Sequence, residues 1–219
     1  ASPESPQVMG QLVAAIEGIA DVCSALEIPV VSGNVSLYNE TSGSSILPTP
    51  TVGMVGVVPE VRFPPRGTWR EGEALYLLGP LEGELGGSRY LQVVLRIEGG
   101  PVPAVEPVRE RRMAAVVRDL VRLGLVAATD ISDGGLATAV VHMSSGKVGA
   151  ALTLPADVAL ARVLFGEWHG RFLLAVSPLF EHAVVQACDG LDIVRLGVAR
   201  GAKLVVKAGA KVVLDEPVA

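Results

Sequence analysis

The stretch PVVSGNVSLYNETSG, residues 29–43, holds both asparagines of the 219-residue chain, Asn34 and Asn39. The residue types gathered there suit a polar ligand. Gly33 carries no Cβ, so a phosphate or a second backbone can come close to it. The amide oxygen of Asn34 is a hard donor of the kind Mg²⁺ accepts, and the hydroxyl of Ser36 can bind a phosphate or a substrate. The same side chains could instead close a hairpin by satisfying their own backbone. Chemistry alone leaves both readings open.

Two further stretches could hold anions. In ATDISDGGLATA, residues 128–139, a strand ends in Asp130 and Asp133 and a helix opens at Gly134-Gly135. Free N–H groups at a helix start attract anions, and the two carboxylates could hold accompanying metal ions. Alternatively, Asp133 N-caps the helix while the glycines turn the chain. In LEGELGGSRYL, Gly86, Gly87 and Ser88 precede another helix, as a phosphate cradle or as a plain turn. No GxxxxGK[ST] loop is present, and no GxGxxG follows a strand. His142, His169 and His182 are scattered, without GxSxG or HExxH around them, and read as structural or surface residues. No residue is singled out as catalytic.

The elements that must position these groups follow from periodicity. Val8, Leu12, Ile16, Ile19, Cys23 and Leu26 recur at steps of three and four, which predicts a helix over 7–27 with Ser5 as N-cap and Pro6 at the first position. Pro29 ends it, and strands are expected at Val30-Val31, across NVSLYN and along ILPTPTVGMVGVV, with a flexible SGSS loop between the last two. The proline-rich, charged stretch 59–72 reads as a linker. Beyond it the pattern alternates: strand 73–79, helix 85–95, helix 108–123, strand 125–130, helix 136–143, strands 149–154 and 171–177, and helix 179–188. Strands near 192–198 and 203–214 close the series. Such alternation predicts a layered α/β or α+β fold. The first 58 residues offer too little core to stand alone. Opening just ahead of a capped helix, the chain reads as a piece of a longer one.

Composition narrows the function classes. Half the residues are hydrophobic and 19% charged, enough for a sizeable core. A net charge of -5, a pI near 5.3 and 4% aromatics argue against a nucleic-acid surface. Charge, Gly or Pro interrupts each apolar run before 18 residues, so no membrane span is expected, and the opening ASPESPQ lacks the regions of a signal peptide. Cys23 and Cys188 lie far apart, match no metal spacing and read as reduced, buried thiols.

The order of PVVSGNVSLYNET, ILPTPTVGMVG, LGGSRYL and ATDISDGGLATA strongly resembles the C-terminal part of the phosphoribosylformylglycinamidine synthase family, within the aminoimidazole ribonucleotide synthetase-like superfamily. The resemblance covers essentially the whole chain. Its first stretch is specific to that family, while DxSDGG is shared more widely. The resemblance implies a partial ATP-binding, β-barrel-type domain over 1–60, the C-terminal part of the second such domain of a duplicated subunit. It also implies an aminoimidazole ribonucleotide synthetase C-terminal-like α/β domain over 61–219. The implied activity converts formylglycinamide ribonucleotide, ATP and glutamine-derived ammonia to the amidine, ADP and phosphate in the cytoplasm. Gly33 then matches an ATP contact, Asn34 a Mg²⁺ ligand and Ser36 a substrate contact. Asp130 and Asp133 match an auxiliary nucleotide site. The implied partners are the N-terminal half of the same subunit, a glutaminase subunit and a small accessory subunit, with no nucleic acid or membrane. The fragment alone is expected to be inactive. Two alternatives remain: another ATP-dependent synthetase or kinase of the superfamily, which DxSDGG allows, and a non-catalytic scaffold, which the lack of a general base allows.

Overall fold

A computed structural model describes residues 2–60, 65–144 and 147–218. The chain divides into two units, residues 1–59 and 60–219.

The first unit opens with helix α1, Pro6–Leu26. Pro6 occupies its first turn, where a missing N–H costs nothing. Ser5 precedes it in extended backbone, but its hydroxyl bonds to Gln7 Oε1 at 3.0 Å and caps no backbone N–H. The helix ends as Glu27 turns left-handed at φ 57° and returns its N–H to the carbonyls of Cys23 and Ser24. By length and composition α1 could cross a membrane, with a mean hydropathy of 1.4. Glu17 and Asp21 interrupt it, and a charge at bilayer depth is costly.

After α1 the structure departs from the expected strands. Only a hairpin forms, β1 (Glu40–Thr41) against β2 (Ser44–Ser45), turned by Ser42 and Gly43 at positive φ. Val30, Val31, Val35 and Leu37 are exposed, and beyond the Ile46 N–H, which reaches Asn39 O at 3.1 Å, 46–58 forms no strand among the described residues of this unit. A strand exists through its ladder partners, and an apolar run without them stays irregular.

The second unit is a seven-stranded sheet with helices on both faces. Its elements are β3 (Ala74–Leu78), a one-turn π-helix (Tyr90–Leu95), α2 (Pro107–Arg122), β4 (Val126–Asp130), α3 (Gly135–Ser144) and β5 (Ala150–Leu154). There follow α4 (Leu160–Phe165), β6 (Phe172–Val176), α5 (Glu181–Ala187), β7 (Ile193–Ala199), β8 (Lys203–Ala208) and β9 (Lys211–Pro217). The strand order is β4-β6-β3-β7-β5-β8-β9, antiparallel except for the parallel pair β5–β8.

Strand β3 shows why the sheet has two cores. All five of its residues are buried. Leu75 and Leu77 face the core made with Leu136, Val140 and Met143 of α3 and Val163 of α4. Ala74, Tyr76 and Leu78 face the other, made with Met113, Val117 and Leu120 of α2 and Val184 of α5. A continuous apolar strand is what a sheet covered on both faces requires.

Four local expectations need revision here. The run 203–214 is two strands, because the chain reverses through Gly209 at φ 56°. The helix expected over 85–95 shrinks to Tyr90–Leu95, since 85–89 form a fixed turn. Helix α4 lies outside the expected elements; six mostly apolar residues carry no 3.6-residue stripe. The last part of the linker packs on the sheet: Trp69 is buried and donates its indole N–H to Val148 O at 2.8 Å.

Candidate functional site

In the first unit, α1 and the segments 34–39 and 46–51 line a cleft of about 600 Å³. Asn34 and Ser36 both lie on it, but so do Val35 and Leu37 while Tyr38 does not, so the alternation expected of NVSLYN is absent from a segment that forms no strand. Their side chains are within reach, Asn34 Nδ2 donating to Ser36 Oγ at 3.5 Å. Gly33 is not among the lining residues. A Cβ on Gly33 would meet nothing within 4 Å, and its φ is not left-handed. Neither packing nor strain within the chain calls for glycine there.

A Mg²⁺ ion needs oxygen ligands that normally include carboxylates. Asn34 Oδ1 is one hard oxygen on an exposed segment, but no carboxylate lines the cleft. Among the described residues no three His, Cys, Asp or Glu gather as a metal set. The donor chemistry therefore fits one ligand of a shared site and not a complete one.

In the second unit the structure brings together the two glycine-rich helix starts. Glu167 Oε1 accepts the backbone N–H of Arg89 at 2.9 Å, just ahead of the π-helix, and that of Gly134 at 2.8 Å, ahead of α3. A carboxylate of the chain itself thus occupies part of the place where a phosphate was expected. Asp133 does not cap α3; it is exposed and pairs with Arg89 Nε at 3.3 Å. Asp130, at the exposed end of β4, sits opposite Phe172. Ser88 is buried and committed: its hydroxyl donates to Leu85 O at 2.6 Å and accepts from Leu91 N at 3.3 Å. That favours the plain turn for LGGS.

The segment carrying Glu167 is fixed from below by Arg171, which is 1% exposed. Its guanidinium donates to four carbonyls, those of Gly166 (2.7 Å), Leu81 (2.9 Å), Pro80 (3.0 Å) and Val163 (3.2 Å). Burial pulls its pKa down to about 10, still far above neutrality. Beside it Arg162 bridges Glu82 at 3.0 Å and Glu84 at 2.8 Å. Backbone bonds between Glu84 and Glu167 complete the clamp.

Comparison with known proteins follows the same division. Residues 1–58 match the N-terminal domain of AIR synthase related proteins, and residues 70–208 match their C-terminal domain. The chain belongs to the AIR synthase related family. It is 43% identical over 220 residues to the phosphoribosylformylglycinamidine synthase subunit PurL of Methylocella silvestris. It is 41% identical over 233 residues to the protein of that name from Anaeromyxobacter sp. strain K. Each alignment covers 98% of this chain and 30% of the relative, so the chain spans about 30% of the length of these curated relatives. Among solved structures, Thermotoga maritima PurL complexed with ATP superposes with a TM-score of 0.58 at 19% identity, covering 72% of this chain and 27% of that one. The PurLQS structure from the same organism gives 0.55 at 21% identity, over 70% and 26%. At such identities the likeness is one of fold.

Glu167 and Arg171 are the residues that sequence reasoning missed. Glu167 lies in FGEWHG, with no motif around it. Its partners are 33 and 78 residues away. Arg171 carries a faint signal, as a charge opening an otherwise apolar strand, RFLLAV. The three histidines are all exposed.

Proposed function

We propose that this chain is the C-terminal portion of a phosphoribosylformylglycinamidine synthase subunit. In that reading residues 1–60 end the second ATP-binding domain and residues 61–219 form the second α/β domain. The whole subunit converts formylglycinamide ribonucleotide, ATP and glutamine-derived ammonia to the amidine, ADP and phosphate, in the cytoplasm. The observation carrying the proposal is 43% identity running along 98% of the chain to a relative of that name. The cleft on which Asn34 and Ser36 converge supports it.

Each residue has a role its chemistry allows. Gly33 leaves open space at its Cα, through which an ATP phosphate can approach the backbone. Asn34 Oδ1 would hold Mg²⁺ as a neutral ligand, the other ligands coming from parts of the subunit outside this chain. The ion, when bound, offsets charge on the nucleotide phosphates. Ser36 Oγ orients the substrate across the cleft. No side chain here serves as general base, so the chain by itself does not turn over. Asp130 and Asp133 are left as an auxiliary nucleotide position, with Arg89 and Glu167 already holding part of it. The partners are the rest of the same subunit, a glutaminase subunit and a small accessory subunit, with no nucleic acid or membrane.

The test is Asn34→Ala in the full-length subunit, assayed for ammonia-dependent amidine formation while Mg²⁺ is titrated. Loss of one good polar contact costs about 1–3 kcal/mol, or roughly 5- to 150-fold in rate, eased by excess Mg²⁺. Normal activity with normal Mg²⁺ dependence overturns the assignment.

A further inference from the structure

Helix α1 brings one polar residue to the cleft of the first unit. Helix α1 meets the cleft through Val8, Leu12, Ile16 and Ile19 of the expected stripe, and through Ala15 and Gln11. Gln11 follows Val8 by three residues and precedes Ala15 by four, which at about 100° per residue puts it at one edge of that face. It is the single polar side chain that α1 contributes to the lining. Exposed at that edge, Gln11 is not held there by packing.

The rest of the lining says what Gln11 can recognise. No Lys, Arg, Asp or Glu lines the cleft. A phosphate held directly by side chains would need cations, and none lines the cleft. The polar groups present are neutral: Gln11, Asn34, Ser36, Asn39, Thr49 and Thr51. Thr49 gives its hydroxyl proton to Leu47 O at 3.2 Å. Gln11 is exposed, and its carboxamide makes no hydrogen bond among the described residues. A carboxamide offers a donor and an acceptor side by side, the complement of another amide.

We propose that Gln11 is a specificity-determining residue that hydrogen-bonds the neutral amide portion of the substrate. The inference rests on the proposed function, in which that portion is the formylglycinamide group. The phosphate end of the substrate is bound elsewhere.

Two variants of the full-length subunit test this, Gln11→Leu and Gln11→Glu. Leucine continues the apolar stripe and keeps nearly the same size, so it removes the donor and acceptor without opening a cavity. Glutamate keeps the shape and loses the N–H donor. Both should raise the KM for formylglycinamide ribonucleotide about tenfold, because a site built to bond an amide is left unpaired. The KM for ATP should stay within about twofold, and the melting temperature of the leucine variant should not fall. A merely structural Gln11 would move the melting temperature and both KM values together, which overturns the proposal. An unchanged KM for the substrate in both variants overturns it as well, while leaving the functional reading intact if Asn34→Ala is impaired. A parent subunit that forms no amidine overturns both.

Discussion

The backbone N–H of Gly134 donates to Glu167 Oε1 at 2.8 Å, joining two loops 33 residues apart. The same oxygen takes the N–H of Arg89, so one carboxylate closes two helix starts that the sequence presents as separate phosphate cradles. A negative group at a helix N-terminus is favoured by the exposed N–H dipoles there. Here the chain supplies that group.

Removing it should therefore loosen both loops. Glu167→Ala is expected to destabilise the chain by about 1–3 kcal/mol, as two N–H groups lose their acceptor. Glu167→Gln keeps a carbonyl acceptor and should recover part of the loss. Urea unfolding of the three proteins checks this, and equal midpoints for wild type and Glu167→Ala would contradict it.

Arg171 is held by carbonyls, with no carboxylate of the described residues beside it. Arg171→Met should cost upwards of about 3 kcal/mol, since four buried carbonyls are left short of a donor. Arg171→Lys should not rescue it, because a point charge cannot serve a planar fork of acceptors. Arg162→Ala offers the contrast. That side chain is 37% exposed, and breaking its pairs with Glu82 and Glu84 should cost only about 0–1 kcal/mol. Thermal and urea unfolding of the three variants should rank them in this order.

Gly197 and Gly10 should respond oppositely to alanine. A Cβ on Gly197, in β7, would lie 1.9 Å from Ala151 O, and the β5–β7 ladder would have to part. Gly197→Ala is expected to destabilise by about 1–3 kcal/mol. A Cβ on Gly10, in α1, would meet nothing within 4 Å. Gly10→Ala should raise helix stability by about 0.5–1 kcal/mol, read as increased helical circular dichroism on mild heating.

Periodicity locates most of the second unit because its elements are amphipathic or continuously apolar. Met113, Val117 and Leu120 mark α2 at helical spacing, and ALYLL marks β3 by its unbroken run. It fails at α4, whose LARVLF is too short and too uniformly apolar to show a period. It also fails over 30–58, where the residue types favour strands but pairing needs partners that local sequence does not specify. The candidate site divides in the same way. Asn34 and Ser36 stand out as candidates by their chemistry alone, since Val35 and Leu37 line the same cleft. Gln11 stands at the edge of a helix stripe that names only apolar residues. Glu167 becomes visible only when the fold brings its two amide partners from 33 and 78 residues away.

Glu110 provides a pH test with a fixed sign. It lies half-buried on α2 against Gly170, where an added Cβ would fall 2.5 Å from Glu110 Oε1. Burial pushes its carboxyl pKa up; His169 and Arg109 oppose that shift, and Glu106 adds to it. With a folded pKa above the unfolded one, the folded state binds more proton just above the ordinary carboxylate range. Stability therefore falls as pH rises through that window, and the loss is complete once pH exceeds the folded pKa. Glu110→Gln removes the ionisation and should flatten this part of the profile, so the variant gains on wild type as pH rises from about 4 to about 7. Melting temperatures of both proteins across that range decide it. A difference that does not change with pH, or that shrinks on going up, would show that ionised Glu110 carries no burial cost.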